Sequence, residues 1–421
     1  MLKTNPTTKE RAIIVGIVRP DQDRELVNEY LDELELLADT AGAEVVERVM
    51  QERRRIDPAF MIGRGKADEL ATMTKYLDAD LVIFDDDLSP AQVKNIESLC
   101  NNKILDRSGL ILDIFAKNAK TREARTQVEL AQLKYMLPRL TRQWTHLSRQ
   151  VGGIGVRGPG ETQLEVDRRL IRKRISLLED ELEKIRKQRS NRRKNREDEF
   201  KAALVGYTNA GKSTLLNALT NANALVEDRL FATLDSTIRA VDLVDHQRIL
   251  LIDTVGFIRK LPHHLVASFK STLEETVEAD LLLHVVDVSN PAFHEQMHTV
   301  RSVLKDLGID DKPILNVFNK IDLLQDQNVL KELKEWDEPS VFISAERGIF
   351  LKELVQKIRE FIDEQTRHMT VSLPITRSKT VSQLHDLAEI LNVDYHDSQV
   401  EIELRTNLAN AERIERLISP T

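Results

Sequence analysis

The chain has 421 residues, a formal net charge of −8 and 41% hydrophobic residues, which is more chain than one core organises and predicts two to four domains. No stretch approaches eighteen apolar residues, excluding a membrane-spanning helix and a secretory signal and pointing to the cytoplasm, while the single Cys100 excludes an internal disulfide or cysteine-rich zinc site and reads as a buried thiol. Charge is uneven: residues 116–201 hold 23 Lys/Arg against 12 Asp/Glu, a local +11 that leaves −19 for the rest. A solvated helix face explains many such runs; a phosphate-rich partner is the other reading.

From Ala12 to about Ala119, short apolar runs alternate with amphipathic stretches. AIIVGIV (12–18), AEVVERVM (43–50) and LVIFDDD (81–87) predict strands, with helices such as DRELVNEYLDELELLADTAG between them. This order predicts a small parallel-sheet α/β domain over 1–118. GRGK at 63–66 reads as a turn, or as a helix N-terminus open to an anion.

The hydrophobic period then changes. Leu130, Leu133, Leu137, Leu140, Trp144 and Leu147 recur at 3-4-3-4-3 spacing, and Leu164, Ile171, Ile175, Leu178, Leu182 and Ile185 repeat it after the first interval. Two long helices packed along a seam are expected over 119–198, with Pro138 kinking the first locally without ending it. Between them VGGIGVRGPGE (151–161) contains five of the fifteen glycines and spells G-x-G-x-x-G at Gly153, Gly155 and Gly158. No strand precedes it, so it is not a dinucleotide fingerprint. With Gly160, Arg149, Arg157, Arg168 and Arg169, it reads as a flexible tip that moulds onto a phosphate-rich surface. KIRKQRSNRRKNRE (184–197) continues the basic run as a helix end or linker.

A nucleotide-binding domain is expected over 199–368. An apolar strand leads into Gly206, Tyr207, Thr208, Asn209, Ala210, Gly211, Lys212 and Ser213, the G-x-x-x-x-G-K-S loop, and then a helix. Backbone N–H groups there wrap phosphates, Lys212 reaches the β and γ phosphates, and Ser213 binds Mg²⁺. QRILLIDTVGF ends a strand in Asp253, Thr254, Val255 and Gly256; the aspartate suits Mg²⁺ and the Gly256 N–H suits the γ-phosphate. PILNVFNKID ends in Asn319, Lys320, Ile321 and Asp322, where the last carboxylate accepts both N1 and N2 protons of guanine, selecting GTP over ATP. VFISAE supplies Ser344, Ala345 and Glu346, with the Ala345 N–H facing the base oxygen.

The switch segment RLFATLDSTIR holds Phe231, Ala232, Thr233, Leu234 and Asp235. Thr233 is the expected third Mg²⁺ ligand, with Thr237 as the alternative. Phe257 stands where many GTPases place a water-orienting glutamine, so hydrolysis alone should be slow. The groups expected to carry catalysis are Lys212, Asn209, Gly256 and Thr233. Asn209 either coordinates K⁺ beside the phosphates or stabilises the loop. HEQMH (294–298) matches a zinc-protease motif but lies on a helix inside this domain without an evident third ligand. His263 and His264 follow the second switch and read as solvated or partner-facing. Beyond Met369, VSLPIT, a helix, QVEIELR and a final helix predict a small α+β domain over 369–421, with Val400, Ile402 and Leu404 on its inner face.

LDRSGLILDIFAKNAKTREARTQVELAQLKYMLPRL, GGIGVRGPGETQLEVDRRLI, GYTNAGKST, FATLD and DTVGFIRKLPHHLVASFKSTLEET together resemble the HflX-type GTPases, a branch of the translation-factor-related class; Ser236 departs from the family's usual proline. The resemblance implies an α/β P-loop GTPase domain preceded by a parallel-sheet domain and a helical hairpin and followed by a small α+β domain. It implies a cytoplasmic, partly ribosome-associated monomer that binds the large ribosomal subunit and its RNA, without DNA, and that rescues or splits stalled ribosomes under stress. The alternative is an RNA-binding GTPase acting in ribosome assembly or RNA remodelling.

Overall fold

The computed structural model describes residues 9–140, 163–193, 200–220, 230–231, 234, 237–243, 248–260, 275–309, 311–324, 333, 336–374, 378–396 and 398–418. Strands β1 (Glu10–Val18), β2 (Ala43–Glu52), β3 (Leu81–Phe84) and β4 (Lys103–Asp106) form a parallel sheet in the order β2-β1-β3-β4. Ala12, Ile14, Leu81 and Ile83 face α1 (Arg24–Ala41) and α4 (Arg107–Asn118). Ile13, Val15, Val82 and Phe84 face α2 (Arg64–Tyr76) and α3 (Pro90–Cys100). Covering both faces explains why these strands read as unbroken apolar runs. GRGK opens α2, with Gly63 at its N-cap.

The hairpin is built from α5 (Arg122–Met136) and α6 (Gln163–Arg193), which run antiparallel around Leu130, Leu178 and Leu182, flanked by Leu133 and Ile175. Ion pairs Glu129–Arg174 (2.7 Å) and Lys134–Glu179 (2.7 Å) border the seam. The expectation at Pro138 needs correction. The α-helix stops at Met136, Leu137–Arg139 forms a 3-10 turn and Leu140 is extended, because proline offers no N–H and its ring obstructs the preceding turn. Trp144 and Leu147 lie outside the described residues.

Asp106 joins this hairpin to the first sheet. It is fully buried and accepts from Gly109 N–H (2.9 Å), Tyr135 Oη (2.7 Å), Leu88 N–H (3.1 Å) and Arg139 Nη2 (2.9 Å). Arg139 also stacks 3.7 Å from the Tyr135 ring centroid. A buried carboxylate is tolerated when it is so fully satisfied, and the joint ties α5 to β4 and α4.

The central sheet comprises β5 (Phe200–Gly206), β6 (Thr237–Asp242), β7 (Arg248–Asp253), β8 (Leu281–Asp287), β9 (Ile314–Asn319) and β10 (Ser340–Phe342), in the order β10-β9-β8-β5-β7-β6. β6 pairs antiparallel with β7, and the other pairings are parallel. Helices α7 (Lys212–Thr220), α8 (Phe293–Asp306) and α9 (Leu351–Gln365) belong to this unit. The last unit is an antiparallel sheet, β11 (Thr366–Pro374), β12 (Glu389–Tyr395) and β13 (Gln399–Asn407), ordered β11-β13-β12, with α10 (Ser378–Leu387) and α11 (Leu408–Ile418). Val400, Ile402 and Leu404 are buried against Val371, Leu373, Leu384 and Ile414. Among the described residues no helix is long and apolar enough to cross a membrane.

Candidate nucleotide site

β5 lies between β8 and β7, so its carboxyl end opens at the middle of the sheet, where α/β folds bind ligands. The loop that follows has no room for side chains at its two ends. A Cβ on Gly206 would lie 2.2 Å from Val285 O, and one on Gly211, where φ is +95°, would lie 2.3 Å from Asn319 Nδ2. Lys212 is buried and donates from Nζ to Gly206 O (3.1 Å) and Tyr207 O (2.7 Å), which folds its ammonium back over the loop. Burial lowers its pKa to about 8, against the opposing pull of Asp253. A phosphate beside it would supply the counter-charge that its burial demands.

Ser213 Oγ donates to Asp253 Oδ2 at 2.6 Å, bringing two of the expected metal ligands together from α7 and β7. A hydroxyl and a carboxylate at one point are the hard oxygen donors that Mg²⁺ takes, so this pair fits the ion. Thr254, also in the expected nucleotide set, is buried and donates from Oγ1 to Leu204 O (2.6 Å), locking β7 to β5. Asn209 has φ +61°, a left-handed conformation that asparagine tolerates better than most residues. That gives its loop-stabilising reading a physical basis.

Gly256 sits against the loop: a Cβ there would lie 2.7 Å from Thr208 Cα and 3.1 Å from Lys212 Nζ. The next residue extends the contact, with Phe257 N–H donating to Gly206 O (3.0 Å) and Thr208 N–H donating to Phe257 O (2.7 Å). The Phe257 ring is buried in the core with Val255 and Ile258. It cannot orient a water. Thr208 Oγ1 accepts from Phe231 N–H (2.9 Å), and Leu234 is buried in the same core. Ala232, Thr233, Asp235 and Ser236 lie outside the described residues, as do His263 and His264. Thr237 opens β6 opposite Asp253.

The expected base-reading residues divide into scaffold and contact groups. Asn319 is buried, donates from Nδ2 to Ala210 O (2.9 Å) and accepts from Ala345 N–H (2.9 Å), tying the phosphate loop to the loop after β10. The Ala345 N–H, expected to face the base oxygen, therefore meets Asn319 Oδ1 in this structure. Lys320 has φ +63° and pairs with Asp287 at 2.7 Å, while Ile321 and Asp322 lie in a 3-10 turn. Ser344 Oγ accepts from Arg347 N–H (3.1 Å), Arg347 approaches Asp322 at 3.7 Å, and Glu346 is exposed.

Of the expected RNA-contact set, Arg149, Gly153, Gly155, Arg157, Gly158 and Gly160 lie outside the described residues. Arg168 donates to Leu140 O (3.3 Å), and Arg169 is exposed. His294 and His298 are exposed on α8, and among the described residues no three His, Cys, Asp or Glu side chains gather to hold a metal.

Sequence reasoning missed the residues Glu33, Asp85 and Arg107, outside the GTP motifs, that link up with Tyr207 of the phosphate loop. Tyr207 Oη donates to Glu33 Oε2 (2.5 Å), and buried Arg107 pairs with both Glu33 and Asp85. Burial lowers the Arg107 pKa to about 9 and pushes the Asp85 carboxyl up, so each charge depends on the others nearby. The available signal was the Asp85-Asp86-Asp87 run at the carboxyl end of a parallel strand, the end that faces ligands and partners in such sheets.

Residues 28–116 match the family model described as GTP-binding GTPase N-terminal, residues 118–196 the GTP-binding GTPase Middle Region, and residues 201–320 the 50S ribosome-binding GTPase. The GTPase HflX of Caldanaerobacter subterraneus subsp. tengcongensis is 46% identical over 412 residues, covering 97% of this chain and 94% of that protein. The chain belongs to the HflX family. The GTPase HflX of Escherichia coli (strain K12) is 45% identical over 384 residues, covering 90% of this chain and 89% of its own. Among solved structures, the SsGBP and GDP complex is 26% identical, covers 85% of this chain and 99% of its own, and gives a TM-score of 0.48. Like the HflX proteins it matches, this chain is a GTPase.

Proposed function

We propose that this HflX GTPase is a nucleotide-gated switch that binds the large ribosomal subunit and its RNA, and that it works in the rescue or splitting of stalled ribosomes under stress. Gly206–Ser213 cradle the phosphates of GTP or GDP, Asp322 reads guanine, and Ser213, Asp253 and Thr233 hold Mg²⁺, which when bound neutralises charge on the β and γ phosphates. Lys212 and the Gly256 N–H meet the γ-phosphate, so the backbone after Asp253 differs between the GTP and GDP states. With its ring buried, Phe257 does not orient the attacking water. Basal turnover is slow, and the ribosome, with K⁺ beside Asn209, supplies what is missing.

The observation that carries this reading is the attachment of a basic hairpin to the nucleotide site. Arg172, Lys173, Lys184 and Lys187 are exposed on α6, the hairpin is joined through Asp106 to the first sheet, and that sheet's helices pack on Tyr207, Phe231 and Phe257. Basic side chains suit an RNA surface. Co-sedimentation with purified large subunits tests the proposal. More protein should pellet with a non-hydrolysable GTP analogue than with GDP, and binding should weaken as salt rises. Equal pelleting in both nucleotide states would refute the switch.

A further inference from the structure

The hairpin is attached to the first domain twice. The chain itself joins α4 to α5, and the turn after α5 is held where the first sheet ends. Arg139 donates from Nη2 to Leu88 O (2.9 Å) as well as to Asp106, and from Nη1 to Tyr135 O (3.1 Å), one of the carbonyls that a helix end leaves open. Leu140 beyond it is buried, and its carbonyl accepts from Arg168 Nη2 of α6 (3.3 Å). One turn thus grips the end of β4, the loop before α3 and the second helix of the hairpin.

Between the two attachments Ala124, Val128 and Ala131 lay α5 on the first domain. Small apolar side chains give no direction, whereas the hydrogen bonds of Arg139 and Tyr135 do. Gly109 shows how closely the joint is fitted: a Cβ there would lie 2.8 Å from Tyr135 Oη and 3.4 Å from Asp106 Oδ1, so this position inside α4 has no room for a side chain. Burial first, and then the Asp106 charge, push the Tyr135 pKa up, which keeps its hydroxyl a donor. Direction matters because the basic groups are spread along α6. Nineteen residues separate Arg168 from Lys187, roughly 28 Å of helix, and a swing of about 10° at the joint would move Lys187 by roughly 5 Å. That is several times the tolerance of a hydrogen bond.

We propose that Arg139 is a positioning residue for RNA binding: with Asp106 and Tyr135 it fixes the direction of the hairpin on the first domain, so that the basic groups of α6 meet RNA as one rigid surface. This rests on the RNA-binding function proposed above. Arg139 itself is 15% exposed and aimed at a buried carboxylate, so it does not reach a phosphate. Arg168, expected among the RNA contacts, serves the same joint through the Leu140 carbonyl.

The test uses the full-length protein with Arg139→Met, Arg139→Lys and Tyr135→Phe. Arg139→Met leaves Asp106 buried without its cation, so Tyr135→Phe, which removes one hydroxyl, guards against a folding defect. Affinity for purified large subunits is measured over a salt series with a non-hydrolysable GTP analogue, beside GDP affinity and Tm. Spin labels on Tyr76→Cys and Gln188→Cys, both exposed while Cys100 is buried, report the direction of the hairpin in the protein alone. In Arg139→Met and Tyr135→Phe the distance distribution should broaden or shift and subunit affinity should fall at least about tenfold, with GDP affinity within about twofold. The slope of log affinity against log salt should drop by more than the roughly 0.7–0.9 that one lost phosphate contact gives, and Arg139→Lys should recover most of the binding. A slope change of a single contact would mark Arg139 as an RNA ligand and overturn the proposal. So would an unchanged distance distribution, or subunit affinity within twofold of a wild type that binds. A wild type that does not bind the subunit would instead refute the RNA-binding function itself, and the proposal with it.

Discussion

Replacing Asn319 by alanine removes one side chain that satisfies two loops. Its Nδ2 serves Ala210 O and its Oδ1 serves Ala345 N–H, both at 2.9 Å, and Ala210 and Ala345 are themselves almost fully buried. Each buried polar group left unmet costs about 1–3 kcal/mol, and the loops recover part of that by opening to water when no nucleotide is bound. The cost then falls on binding: about 3 kcal/mol in all, or a roughly 100-fold weaker Kd for GDP. Asn319→Asp keeps an acceptor for Ala345 but turns a negative oxygen toward the Ala210 carbonyl, so it should bind no better. Titration of a fluorescent GDP analogue in Mg²⁺, beside Tm, measures both. GDP affinity within threefold of wild type in Asn319→Ala would show that this residue does not organise the site.

Asp322→Asn should shift preference from guanine to xanthine nucleotides, because the amide donates where the carboxylate accepted; competition of XTP and GTP against the fluorescent nucleotide reads this, and unchanged GTP affinity would sink the base-reading assignment. His284, buried in β8, has its pKa lowered to about 4 by burial first and by the nearby Arg301 charge. The unfolded chain takes up a proton near pH 6.5 that the folded one refuses until about 4, so stability is lost as pH falls through that window, by about 3 kcal/mol in all. His284→Leu should flatten the pH dependence of denaturant unfolding between 6.5 and 4, and an unaltered slope would remove His284 as its source.

The nucleotide loop was legible because its chemistry is written in contiguous residues. Gly206, Gly211, Lys212 and Ser213 occupy fixed positions where a strand passes into a helix, and Asp253 ends a strand that the apolar pattern marks. Roles within motifs were less legible: Asn319 belongs to the base-reading run yet braces two loops. The ion pairs of Lys260 with Asp85 and Asp86 were invisible, since they cross 175 and 174 residues of chain and the left-handed φ of Lys260 leaves no trace in composition. At Pro138, seam periodicity argued for a continuing helix, but the missing N–H decided against it. Short β4 was hidden by polar residues at both ends, and β12 by Asn392 and Asp394 beside a register shift.

Steady-state GTP hydrolysis with and without purified large ribosomal subunits, in K⁺ and again in Na⁺ at matched ionic strength, bears most directly on the proposed switch. Slow turnover alone, a large stimulation by the subunit and a greater rate in K⁺ are predicted. Hydrolysis that ignores the subunit in both salts would contradict the account.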